Sequence, residues 1–181
     1  MTGPSLALDP HVAELRRAFD RAFGEPPAAA APETEDLLAI RIAGDPYALK
    51  VRELTGLVPS RKIVPLPSGR PTLLGIAGIR GRLVSVHGLA ALLGYGASAA
   101  PAPWLALCGQ PEPVALAFEQ LEGFLRVKRS DLYAAEPADA ARRHVSEIVR
   151  VGELSRRVVD TRSTLAALDA VAGASGSTKE Q

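Results

Sequence analysis

Cysteine occurs once in this 181-residue chain, at Cys108. An intrachain disulfide is therefore excluded, and so is any cluster of thiolates at metal-ligand spacing. Aromatic residues make up 4% of the chain, while hydrophobic residues overall reach 47%. The interior must be built from Val, Leu, Ile and Ala, which disfavours stacked-ring platforms for nucleic acid. Net charge is almost absent at +1, so no global field gathers DNA, RNA or an anionic membrane. No apolar run approaches the ~20 residues of a membrane-spanning helix. The opening residues also lack the charged-then-apolar order of a secretory signal. The expectation is a cytoplasmic protein whose electrostatic recognition is local.

Reactive constellations are equally scarce. His11, His87 and His144 are far apart and have no Cys or carboxylate at ligand spacing, so no metal is expected. Cys108 lies in an apolar run and reads as a small buried side chain. Ser85 and His87 share a strand face, but no orienting acid accompanies them, so hydrolysis is not indicated. Gly75, Gly78 and Gly81 recur every third residue, yet no helix N-terminus follows the last and no Gly-Lys-Ser/Thr occurs. Nucleotide binding is rejected. The chain is expected to be neither an enzyme nor a cofactor carrier.

What is present centres on residues 74–94. Two short strand-like runs meet at Arg80-Gly81, with Val84 and Val86 alternating as in a strand with one buried face. Leu89, Leu92 and Leu93 then recur at helical spacing until Gly94 stops the helix. Glycines around Arg80 reduce the bulk at the bend and permit backbone angles closed to other residues. A partner could approach closely there.

Ahead of this stretch, Asp9 and Pro10 start an amphipathic helix carrying Val12, Leu15, Phe19 and Phe23, taken as residues 1–24. A Pro/Ala/acidic linker is expected over 25–36. Leu38, Ile40 and Ile42 alternate before a turn at Gly44-Asp45-Pro46, and Tyr47, Leu49 and Val51 alternate after it, which predicts a hairpin. A Pro-rich crossing covers 59–71. Beyond the central stretch, strands are expected at 104–108, 114–118, 124–127, 148–151 and 157–159, followed by a helix with Leu165 and Leu168. Many short strands at close spacing argue for small barrels or sandwiches. Residues 173–181 are Gly/Ser-rich and polar, and are expected to be a disordered tail.

The run Leu73-Leu-Gly-Ile-Ala-Gly-Ile-Arg-Gly-Arg-Leu-Val-Ser-Val-His-Gly-Leu-Ala-Ala-Leu-Leu-Gly94 resembles the signature of the CheW family of chemotaxis coupling proteins. The hairpin at 37–51, the Arg52-Glu53-Leu54 segment, the Pro65-x-Pro67 loop and the closing strand-Asp160-helix agree in order. The resemblance implies a mainly β domain over 37–172, made of two five-stranded SH3-like barrels with short helices. It also implies an adaptor that joins a chemoreceptor's cytoplasmic tip to the regulatory domain of a CheA-type histidine kinase. By motif Arg80 is a receptor-contacting position, and Ile79, Gly81, Arg52 and Glu53 are the neighbouring candidates. The N-terminal helix is a candidate for self-association.

A charge argument stands beside the resemblance. From Lys50 to Arg82 there are seven basic residues and one acidic, Glu53. A guanidinium among glycines can bind a carboxylate in bidentate fashion, so an acidic partner surface is the expected target. Two other readings keep these residues in use: an accessory adaptor that binds only one of the two partners, and a small-barrel module that binds acidic ligands or nucleic acid.

Overall fold

Strand β1 (Thr34–Ile42) turns back into β2 (Asp45–Lys50) through a two-residue turn at Ala43-Gly44. Both turn residues have positive φ, 51° and 83°, a backbone twist that matches the twist of paired strands. The turn lies a residue earlier than the sequence suggests, and Pro46 stands near the start of β2, where a missing N–H is tolerated. A computed structural model of the chain describes residues 33–96, 101–109, 111–135 and 142–176, with backbone alone over 171–176. The chain divides into two units, Met1–Glu33 and Thr34–Gln181. The expected N-terminal helix lies outside the described residues.

β1 begins three residues inside the stretch expected to be linker. Its acidic residues are matched by partners that the sequence does not reveal. Glu35 is buried with its Oε2 3.1 Å from Arg52 Nη1, and Asp36 accepts two bonds from Arg126, at 2.7 and 2.9 Å. Hydrogen bonding to Arg126 holds the Asp36 carboxyl below its usual pKa.

After a 3₁₀ turn at Val51–Glu53 come β3 (Leu54–Pro59) and the two-residue β4 (Ile63–Val64). Then β5 (Leu73–Ile79) and β6 (Arg82–Gly88) lead to helix α1 (Leu89–Leu92). Gly94, at φ 89°, terminates that helix. The second half supplies β7 (Trp104–Cys108), β8 (Val114–Phe118), β9 (Gln120–Lys128), β10 (Leu132–Ala134), β11 (Val145–Val151) and β12 (Leu154–Val159). Helix α2 (Thr161–Gly176) closes the described chain. Asp160 Oδ1 caps it by accepting from Ser163 N at 2.9 Å. The helical backbone continues through Gly176, into the stretch expected to be tail; the capped start and the Ala/Leu run carry it past the composition shift.

The strands form two six-stranded sheets, β10-β11-β12-β2-β1-β9 and β3-β7-β8-β6-β5-β4. Read from β10 and from β4, the pairings repeat: an edge strand, an antiparallel hairpin, a parallel step, a second hairpin and a last strand. Each sheet takes one hairpin from a distant part of the chain. The β1–β2 hairpin joins the C-terminal strands through β12, while β7–β8 joins the middle strands through β6.

Alternation along β1 explains how the sheets pack. Leu38, Ile40 and Ile42 face a cluster shared with Ala106, Cys108, Leu116 and Phe118 of the other sheet and with α1. Leu37, one residue out of phase, faces a second cluster with Ala48, Val127, Val149 and Val158, all from its own sheet. A third cluster, including Ile79, Val84, Val86, Leu105 and Leu107, is confined to the other sheet. Burying each such Leu, Ile or Val stabilises the fold by roughly 1.5–3 kcal/mol.

Candidate functional site: the Arg80 corner

β5 and β6 pair through Ile79↔Arg82, which leaves Arg80-Gly81 as a two-residue turn. Both residues are left-handed, with φ 51° and 76°. Gly81 adopts this freely, whereas an arginine there costs about 1–2 kcal/mol. Ala43 bears the same φ in the β1–β2 turn, so the distinguishing feature of this turn is its side chain.

Arg80 is exposed. Its guanidinium reaches across to β3, where a Cβ placed on Gly56 would stand 3.3 Å from Nη2. A larger residue at 56 would push the guanidinium aside. Among the described residues Arg80 has no hydrogen bond or ion pair. It borders a groove of about 340 Å³. Ile79, Val84 and Leu107 form its apolar floor, Pro111 and Pro113 one wall, and Thr55, Arg80 and Arg82 the polar rim. Arg82 Nη2 is held by the Pro111 carbonyl at 3.3 Å. Such a groove can take an apolar side chain on its floor and a carboxylate at its rim.

The five sequence candidates divide here. Ile79, Arg80 and Gly81 meet at the corner. Arg52 and Glu53 lie on the 3₁₀ turn and do not line the groove; Thr55, two residues on, does. Arg52 is half exposed and paired with buried Glu35, while Glu53 accepts a hydrogen bond from the Thr161 hydroxyl at the start of α2. Both side chains are thus engaged with β1 and α2. The groove's proline wall, Pro111 and Pro113, and Leu107 of its floor come from the β7–β8 hairpin and are not among the sequence candidates.

The basic surplus also resolves into separate environments. Lys50 pairs with Glu147, Arg52 with Glu35, and Arg70 has a partner of its own. Arg61, Lys62 and Arg80 are left without one among the described residues. Cys108 is fully buried and its thiol is pushed up to about 12, first by burial and then by the Glu53 charge. A thiol held there stays protonated at neutral pH and is a poor nucleophile. Among the described residues no three His, Cys, Asp or Glu side chains converge as a metal set, and no helix is long and apolar enough to cross a membrane.

The family model of the CheW-like domain matches residues 36–168. The chain belongs to the CheW-like domain family. Its fold is similar to the crystal structure of the scaffolding protein TtCheW from Thermoanaerobacter tengcongensis, with a TM-score of 0.63 at 15% identity. That likeness covers 75% of this chain and 90% of TtCheW. Comparison with curated proteins finds no match. Within this CheW-like domain the Arg80 corner lies inside the matched residues.

Proposed function

We propose that this CheW-like protein is a non-enzymatic adaptor that couples a chemoreceptor's cytoplasmic tip to a CheA-type histidine kinase. In this reading each sheet curls into an SH3-like barrel around its own apolar cluster, and the shared cluster fuses the two. The Arg80 corner and its groove receive the receptor tip: apolar side chains enter between Ile79, Val84 and Leu107, and a carboxylate pairs with Arg80. The observation that carries this is a single one. An exposed guanidinium without a partner among the described residues stands at the mouth of an apolar groove, in a backbone conformation that costs stability. Arg52 and Glu53 support the corner indirectly by fixing the turn that leads into β3.

The deciding experiment is a pair of binding measurements, one with a receptor-tip peptide hairpin and one with a kinase regulatory domain. Both should bind the wild-type chain. Arg80→Glu should weaken receptor-tip binding at least tenfold, about 1.4 kcal/mol, without lowering Tm. Binding of one partner alone would reduce the protein to an accessory adaptor. An unaltered affinity in Arg80→Glu would remove the corner from the interface.

A further inference from the structure

A second, smaller cavity of about 120 Å³ lies away from the Arg80 groove, where helices α1 and α2 come together. Ala91 and Leu92 of α1 face Ala167 and Leu168 of α2 across it, so its sides are apolar. Its polar lining is almost entirely basic: Arg70, His87, Arg143 and His144, with the Thr72 hydroxyl beside them.

His87 is the unusual member. It is only 6% exposed, and its Nδ1 is buried with no hydrogen-bond partner among the described residues. Leaving a buried polar atom unmatched is unfavourable, so a ligand that accepts or shares a proton at Nδ1 would recover that loss. His144 is differently placed: its Nδ1 is 2.8 Å from Ser163 Oγ. The carboxylate on this side is Asp160, near His144, and it is already committed to the α2 N-terminus through Ser163 N. Arg70 has its own partner, which leaves Arg143 as the exposed cation at the rim. Burial, followed by the Arg70 charge, lowers the His87 pKa, so the ring is neutral at neutral pH and can donate or accept at Nδ1 without adding charge.

Size and charge narrow the ligand. At about 120 Å³ the cavity has room for a small polyatomic ion as well as for water. A five-heavy-atom oxyanion is of a size for this cavity. We propose that this cavity binds a free small oxyanion of the phosphate type, with Arg143 supplying charge and His87 Nδ1 and Thr72 supplying hydrogen bonds. Because His87 belongs to one sheet and His144 leads into β11 of the other, an ion held there braces the two sheets across their joint.

The test uses the full chain in phosphate-free buffer, titrated with inorganic phosphate at constant ionic strength and followed by thermal melting and by the His87 imidazole NMR signals. Phosphate should raise Tm saturably, as ligand linkage requires, and should shift the His87 resonances over the same concentration range; equimolar chloride should do neither. Arg143→Gln, an exposed position, should keep its Tm in chloride and lose at least tenfold in phosphate affinity. A rise that does not saturate, a rise undiminished in Arg143→Gln, or unmoved His87 signals would overturn the proposal. An equal rise with acetate would overturn the preference for a tetrahedral anion.

Discussion

The two sheets repeat one pattern of pairings, so the Arg80-Gly81 corner of one has a counterpart at Gly152-Glu153 of the other, each joining the antiparallel hairpin next to the parallel step. The contrast between them is chemical. One presents a guanidinium with Arg82 beside it; the other presents a carboxylate. In the first the residue with the side chain bears a left-handed φ, and in the second the glycine does, at 63°. Flanking apolar exposure differs as well: Leu83 is 77% exposed and Leu154 39%. Equivalent topology therefore carries opposite charge, and only the Arg80 corner accepts a backbone penalty to place its side chain. Ala43 has the same left-handed φ in the β1–β2 turn, so what sets the Arg80 corner apart is the exposed guanidinium it presents rather than the angle itself.

Five substitutions test the contrast between the two corners. The largest effect is expected from Leu38→Ala in the shared cluster, at about 2–5 kcal/mol, which lowers Tm by roughly 5–20 °C. Both sheets should melt in one transition; hydrogen exchange showing one sheet protected after the other opens would separate them. Next come the charge reversals. Arg80→Glu should cost at least tenfold in receptor-tip affinity, about 1.4 kcal/mol, while Glu153→Arg leaves that affinity unchanged. Equal losses would mean that the two corners are not functionally distinct. Gly81→Ala and Gly152→Ala should each cost about 1 kcal/mol by denaturant titration, since an added Cβ meets nothing within 4 Å and only the positive φ resists it.

The smallest effect concerns pH and the histidines on the two sides. Burial lowers the pKa of His87 and of His144 from the ordinary 6.5. Their folded pKa values lie below the unfolded one, so the unfolded chain binds more protons as pH falls through 6.5, and stability declines. Denaturant midpoints at pH 7.5 and 5.5 should show a modest loss at the lower pH. The carboxylates held below their usual range, Asp36 and Glu122, titrate below about 4.5 and do not contribute in that window.

Local chemistry made several elements legible. The β1–β2, β5–β6 and β7–β8 hairpins follow from alternating apolar residues and their turns. Helix α1 follows from leucine spacing and Gly94, and α2 from Leu165 and Leu168. β3, β4 and β10 carry little local signal because each is short or half exposed and gains its order from other strands: β3 from β7, β4 from β5 and β10 from β11. The acidic residues at 35 and 36 read as linker for the same reason, their neutralising arginines being 17 and 90 residues away. The corner itself, Ile79-Arg80-Gly81, was visible as a bend among glycines. Arg52 and Glu53 were visible as charges, but not as charges already engaged within the fold.

Alternating faces, tight turns and an arginine where glycine is favoured depend on residues a few positions apart, and are legible along the chain for that reason. Tertiary structure alone decided which hairpin joins which sheet, which basic residues are neutralised, and which loop walls the groove beside Arg80. Those outcomes rest on parallel pairings and ion pairs between distant segments, and no local pattern encodes which partner a strand or a charge will meet.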